Sequence, residues 1–241
     1  MWFKFIDMID LALLIKITGL ALVDAVNVCA FAVLIAVLIN ILTKNADNPK
    51  KVLTSGLSFI AAVFIGYLFY AFVLMQFFGA ITEQIKGISP YIYDGFAVLA
   101  MIIGALNIKD FFMYKKGGIA TEMPLSIRPK IHKLIETINS PSGAFVIGIF
   151  VTVFLLTCTI WPLMIAAGIL SDYGFIGALP WFVYYNFLFV LPMLIITFGV
   201  YFSSTSISEV SYWQKKNVKL LHLIAGVLLF GIGLFLITGW L

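Results

Sequence analysis

Two cysteines, Cys29 and Cys158, each fall inside a long apolar stretch of the chain. Two thiols within reach of each other can form and break a disulfide and so carry two electrons without any further group. The competing role for the same residues is packing, because a free cysteine behaves as a small buried hydrophobe. Asp24 and Asn27 lie just ahead of Cys29. A carboxylate inside a membrane span costs roughly 2.5–3.5 kcal/mol on insertion scales, unless it sits near enough to the interface to stay hydrated. Pro162 lies four residues after Cys158. Lacking an N–H, it cannot donate to the Cys158 carbonyl, so a helix there is expected to open beside the sulfur. A hydrated opening suits thiol chemistry, since a dry thiol has a raised pKa and is a poor nucleophile.

The elements that hold these residues are membrane-spanning helices. The 241 residues are 63% hydrophobic and 11% charged, against roughly half and a quarter in soluble domains. A soluble fold of this size could not cover its exterior with so few polar groups. Six continuous apolar runs approach or exceed the ~20 residues a spanning helix needs: 20–42, 57–78, 91–112, 143–170, 177–202 and 220–241. Barrel strands would alternate over about ten residues instead. Runs four and five are long enough to require tilt or kinks, for which Pro162, Pro180 and Pro192 are available. Counted from its start, Cys29 is ~13 Å into the first run; counted from its end, Cys158 is ~18 Å into the fourth. Opposed helices therefore bring the two to similar depth.

Twelve of the fifteen basic residues fall in the segments 43–54, 109–142 and 203–219, leaving Lys4, Lys16 and Lys86 for the other side. The positive-inside rule then places loops 43–54, 113–142 and 203–219 in the cytoplasm and both termini outside it. Basic residues so distributed report topology, and no nucleic-acid partner is expected; membrane lipid is. Residues 1–19 are apolar but interrupted by Lys4, Asp7, Asp10 and Lys16, the pattern of an interfacial helix rather than a cleavable signal peptide. In the basic loop 114–142, Ile127, Ile131, Leu134, Ile135 and Ile138 recur at helical spacing. A short amphipathic helix resting on the inner leaflet, able also to dock a cytoplasmic partner, is expected there. The halves 20–113 and 143–241 each hold three runs and one cysteine. With an odd number of spans per half they would form an inverted three-plus-three repeat.

The segment Asp24-Ala-Val-Asn-Val-Cys29-Ala-Phe resembles the first cysteine motif, Asp-x-x-Asn-Pro-Cys-Ala-Phe, of the CcdA/DsbD family of transmembrane thiol–disulfide transporters. Asn107-Ile-Lys-Asp-Phe-Phe112 is similar to that family's Asn-x-Lys-Asp/Glu-Phe-Phe stretch. Pro124-Leu-Ser126, then Cys158-Thr159 with Pro162, resembles its second half, where the pattern is Pro-Cys-Thr-Gly-Gly-Pro. The chain departs from the family at Val28 and Thr157, which replace the proline before each cysteine, and at Ile160-Trp161, which replace the glycine pair. Those substitutions remove residues that loosen a helix around the sulfur.

The resemblance implies electron transfer through a Cys29–Cys158 pair, from cytoplasmic thioredoxin to an extracytoplasmic thioredoxin-like acceptor, for example in cytochrome c maturation. It implies no metal, flavin or other cofactor, and a multi-pass protein of a prokaryotic plasma membrane. Asp24 and Asn27 would handle protons or gate the site, and Pro162 would supply the bend. Two other readings stay open. In a small secondary transporter of the LysE-like kind the cysteines only pack, and Asp24, Asn27 and Asn186 line a substrate path. In an assembly factor without turnover the thiols stay reduced and unreactive.

Overall fold

The computed structural model describes residues 11–26, 28–44, 48–84, 89–113, 128–138, 140–202 and 207–238. These form helices α1 (Leu11–Ala25), α2 (Val28–Lys44), α3 (Pro49–Gln84), α4 (Ser89–Phe112), α5 (Arg128–Glu136), α6 (Pro141–Leu170), α7 (Gly174–Phe202) and α8 (Ile207–Thr238). A 3-10 turn, Ser171–Tyr173, joins α6 to α7, and no strand occurs among the described residues. Among the described residues, four stretches are long and apolar enough to cross a membrane: Lys50–Ile81, Asp94–Phe112, Thr159–Phe202 and Lys215–Thr238. Ala32–Lys44 and Pro141–Leu156 are shorter apolar helices. Outward-facing side chains are as apolar as inward ones, with Phe69, Phe77, Ile102, Phe150, Ile195 and Val227 all exposed. A helix apolar on all sides is built for lipid, so the fold is that of an all-α membrane protein.

Local sequence fixes the helix ends. Asn48 caps α3, accepting at Oδ1 from the Lys51 N–H at 3.2 Å, and Pro49 opens the helix where its missing N–H does no harm. Ser140 does the same for α6, accepting from the Gly143 N–H at 3.1 Å, with Pro141 as the first helical residue. Past α6 the chain turns through Gly174 at φ 66, a conformation that a side chain would strain.

Without a hydrophobic force between helices in lipid, close packing must come from small residues. A Cβ on Gly104 of α4 would lie 2.6 Å from the Phe230 backbone nitrogen and 2.9 Å from the Gly226 carbonyl oxygen of α8. One on Gly233 of α8 would lie 2.7 Å from the Ala97 carbonyl oxygen, with Met101 beside it. The two helices therefore touch backbone to backbone and run antiparallel. Gly148 of α6 meets Ala62 of α3, where a Cβ would come within 2.7 Å. Gly56 of α3 meets Thr197 of α7 at 2.6 Å in the same sense. With Gly66 of α3 against Thr152 of α6 and Phe72 of α3 against Phe182 of α7, the order of contacts makes α3 parallel to α6 and antiparallel to α7.

Two boundaries differ from those read in the sequence. The stretch 1–19 was expected to be an interfacial helix with a span beginning at 20; its described part, from Leu11, runs unbroken into Asp24 and buries Leu13 and Ile17 in the common core. The run 20–42 was expected to be one helix, but α1 stops at Ala25, Val26 is a turn, and α2 starts at Val28. Helix α5 forms within the basic loop, and Ile131, Ile135 and Ile138 are buried in the core cluster. Its C-terminal carbonyls are held by α2: Asn40 Nδ2 donates to Ile135 at 2.8 Å and Ile138 at 3.0 Å, and Lys44 Nζ donates to Glu136. Ile131 and Ile135 of α5, and Ile138 just after it, thus meet protein, whereas Leu134, expected with them, is exposed, as are Lys130, His132 and Lys133.

Candidate functional site

Buried polar side chains of four helices gather in one layer of the bundle. Asp24, in the last turn of α1, is 1% exposed, and it accepts a hydrogen bond at Oδ2 from the Tyr185 hydroxyl of α7. Asn186, the next residue, donates from Nδ2 to the Phe182 carbonyl at 2.9 Å. One turn further along α7, Phe189 packs its ring 4.7 Å from that of Tyr67 on α3. The Tyr67 hydroxyl in turn lies 2.7 Å from Thr159 Oγ1 on α6. Thr159 commits its one proton to the Leu155 carbonyl at 3.1 Å, so Tyr67 is the donor between them. Tyr67, Thr159, Tyr185 and Asn186 are all fully buried.

The residues singled out in the sequence fall on this layer unevenly. Asp24 is in it. Cys29 is the second residue of α2, directly after the interruption between α1 and α2. Cys158 is helical in α6 and precedes Thr159. The side chains of both cysteines, and all of Asn27, lie outside the described residues, as does the Pro124-Leu-Ser126 stretch. Pro162 is buried within α6, which is assigned as helix from Pro141 through Leu170. The expected opening beside Cys158 thus leaves the helix assignment unbroken; the interruption falls in the first half of the chain instead. Two features still weaken α6 here: the N–H that Pro162 lacks, and the Thr159 hydroxyl bonded back to the helix carbonyl at Leu155.

Asn107 has a different place from the other motif residues. It is buried between α4 and α8, where Nδ2 donates to the Ile103 carbonyl at 3.0 Å and Oδ1 lies 3.0 Å from His222 Nδ1. The bond extends the α4–α8 contact by more than a turn. Lys109 and Phe112 of the same stretch are exposed.

Tyr185, Tyr67 and Thr159 were not among the candidates read from the sequence. Tyr184-Tyr185-Asn186, a polar triplet between Pro180 and Pro192, is the one signal that could have drawn attention to the first. Compared with protein families, curated proteins and solved structures, the chain matches none.

Proposed function

We propose that this chain is a transmembrane thiol–disulfide electron transporter working through Cys29 and Cys158. The observation that carries the reading is the pair of buried polar contacts: Asp24, five residues before Cys29, and Thr159, next to Cys158, are each buried and hydrogen-bonded to a tyrosine of a packed neighbouring helix. A thiolate of cytoplasmic thioredoxin attacks one sulfur of the Cys29–Cys158 disulfide and forms a mixed disulfide. The second thiol of thioredoxin resolves it, leaving thioredoxin oxidised and the pair as a dithiol. Facing outward, that dithiol reduces a disulfide on an extracytoplasmic thioredoxin-like acceptor and is itself reoxidised. Each ~30 mV between donor and acceptor drives the transfer by about 1.4 kcal/mol.

The reading includes six spans arranged as an inverted three-plus-three repeat, in the plasma membrane with both termini outside the cytoplasm. What supports the repeat is reciprocity of contacts. Cys158 follows Cys29 by 129 residues (158 − 29), and the same spacing relates Gly104 to Gly233, Ala97 to Gly226 and Met101 to Phe230. Gly104 faces Gly226 and Phe230, while Gly233 faces Ala97 and Met101. A two-fold relation between the halves requires this exchange of partners. Helices α3 and α7, and α4 and α8, would likewise be counterparts packed on each other.

One observation favours a second reading. Asn186 Oδ1 is buried without a hydrogen-bond partner among the described residues, as an acceptor waiting for a transported solute would be in a small secondary transporter. The redox state of the two cysteines in isolated membranes, with and without reduced thioredoxin, separates the two. The relay requires a Cys29–Cys158 disulfide that reduced thioredoxin converts to thiols. Thiols that stay reduced, and a transport activity indifferent to thiol blocking, would replace it with the transporter.

A further inference from the structure

Asp24 ends α1 one residue before the helix stops, and Tyr185, which bonds it, lies 161 positions away in the other half of the chain. We propose that Tyr185 is a positioning residue for Cys29: its hydrogen bond to Asp24 fixes the end of α1, and with it the start of α2, against α7. The proposal rests on the relay reading only in taking Cys29 as the group whose placement matters.

Because α1 and α2 are separate helices, helix continuity does not set where α2 begins relative to α7. The bond at Asp24 ties the end of α1 directly to α7, beside the packing that α2 makes for itself on α3, α7 and α8. Both partners are essentially inaccessible, at 1% and 0% exposure, so water cannot replace the bond when it is lost. A second bond, Thr18 Oγ1 to the Tyr184 hydroxyl at 2.9 Å, joins the same two helices but holds the body of α1 rather than its end.

Few charges compete for this carboxyl. Of the elements packed on α1, α6 contributes Cys158 as its one titratable group, and α8 carries Glu209, Tyr212, Lys215, Lys216, Lys219 and the buried His222, all before residue 223. Helix α7 carries Tyr184, Tyr185 and Tyr201, and α1 itself carries Lys16. From α3, Tyr67 is near enough to Tyr185 to interact with it electrostatically.

The test uses the full chain in membranes, carrying Cys158→Ser so that Cys29 is the only thiol, and follows its alkylation by N-ethylmaleimide as a function of pH. Tyr185→Phe keeps the ring and deletes the donor, and is expected to raise the rate roughly tenfold, the worth of a buried hydrogen bond to a carboxyl group. Asp24→Leu should match it, and the double variant should go no further than either alone. Asp24→Asn keeps a carbonyl acceptor for Tyr185, so it should stay slow while losing any step in the pH profile that belongs to the carboxyl. Tyr184→Phe, which unties the body of α1, should stay within about twofold of the parent. Should Tyr185→Phe fail to fold, the contrast between Asp24→Asn and Asp24→Leu carries the same test. An unchanged rate in Tyr185→Phe, additive effects of the two deletions, or an equal effect of Tyr184→Phe would each overturn the assignment. Alkylation needs no electron transfer, so Tyr185 can position Cys29 even if thioredoxin never reduces the pair.

Discussion

Gly104→Ala tests the α4–α8 contact on which the two halves meet. The added Cβ would stand 2.6 Å from the Phe230 nitrogen, 2.9 Å from the Gly226 oxygen and 3.0 Å from the Phe230 Cα. All three are backbone atoms, so no rotamer change relieves the clash. To reach ordinary contact at 3.4 Å, α8 must withdraw by about 0.8 Å (3.4 − 2.6). Moved as a rigid body, it would stretch the 3.0 Å Asn107–His222 bond by a similar amount, beyond hydrogen-bonding range. Overpacking costs about 1–3 kcal/mol, and the lost bond adds about 1 kcal/mol, so a destabilisation of about 2–4 kcal/mol is expected.

Unfolding of the purified protein in mixed micelles by increasing denaturing detergent would measure it. Gly231→Ala, on the same α8 but with nothing within 4 Å of its new Cβ, is the control. It should be neutral or stabilising by up to about 1 kcal/mol, because glycine is a poor helix former. Gly233→Ala, the reciprocal site, should resemble Gly104→Ala, with some relief because one of its close neighbours is the movable Met101 side chain. If Gly104→Ala unfolds no more easily than Gly231→Ala, the backbone contact is not where this reasoning puts it.

Further outcomes follow from the same structure. Cys29→Ser and Cys158→Ser should each abolish electron transfer to the outer side completely, and the double variant should lose no more; turnover in either single variant would end the relay assignment. Pro162→Ala returns an N–H to the Cys158 carbonyl, a backbone bond worth about 1 kcal/mol, and should leave the protein at least as stable but slower to be reduced by thioredoxin. An unchanged reduction rate would make Pro162 purely architectural. Single cysteines placed in loops 43–54, 113–142 and 203–219, in a background lacking Cys29 and Cys158, should resist impermeant thiol reagents applied outside; labelling of all three would invert the topology.

What the sequence discloses here depends on the range of the interaction involved. Composition and run length act locally, and they lead directly to long apolar helices such as Lys50–Ile81 and Lys215–Thr238. Helical periodicity is also local, and Ile131, Ile135 and Ile138 are buried as their spacing demands. The same spacing cannot say what covers them. Leaflet and protein are equally apolar, and only the carbonyl bonds from Asn40 and Lys44 identify α2 as the cover. The interruption after Ala25 was invisible because neither proline nor glycine marks it; Asp24-Ala-Val reads as ordinary helix. Proline drew attention to Cys158 instead, in a helix assigned without a break. Tyr185 was illegible for another reason: tyrosine in a span resembles an interfacial aromatic, and its partner is 161 positions away.

The polar layer also bears on why such a bundle would keep it. Lipid offers no hydrogen bonds, so each buried polar group must find its partner in the protein. In a bundle that only packed, apolar side chains of similar volume at positions 24 and 185 would fill the same space with nothing to satisfy. Replacing buried polar pairs in this way is often neutral or stabilising. Asp24 nonetheless stands at the interruption before Cys29, and the Thr159 hydroxyl in the turn of α6 beside Cys158 and Pro162. Among the glycines, Gly104, Gly226 and Gly233 bring the backbones of α4 and α8 together, while Gly148 and Gly168 of α6 meet the Ala62 side chain of α3 and the Phe96 ring of α4. In the proposed relay, a thiol pair reached from both sides would call for rigid contact such as that between α4 and α8, and for a helix weakened beside Cys158 as α6 is by Pro162 and Thr159.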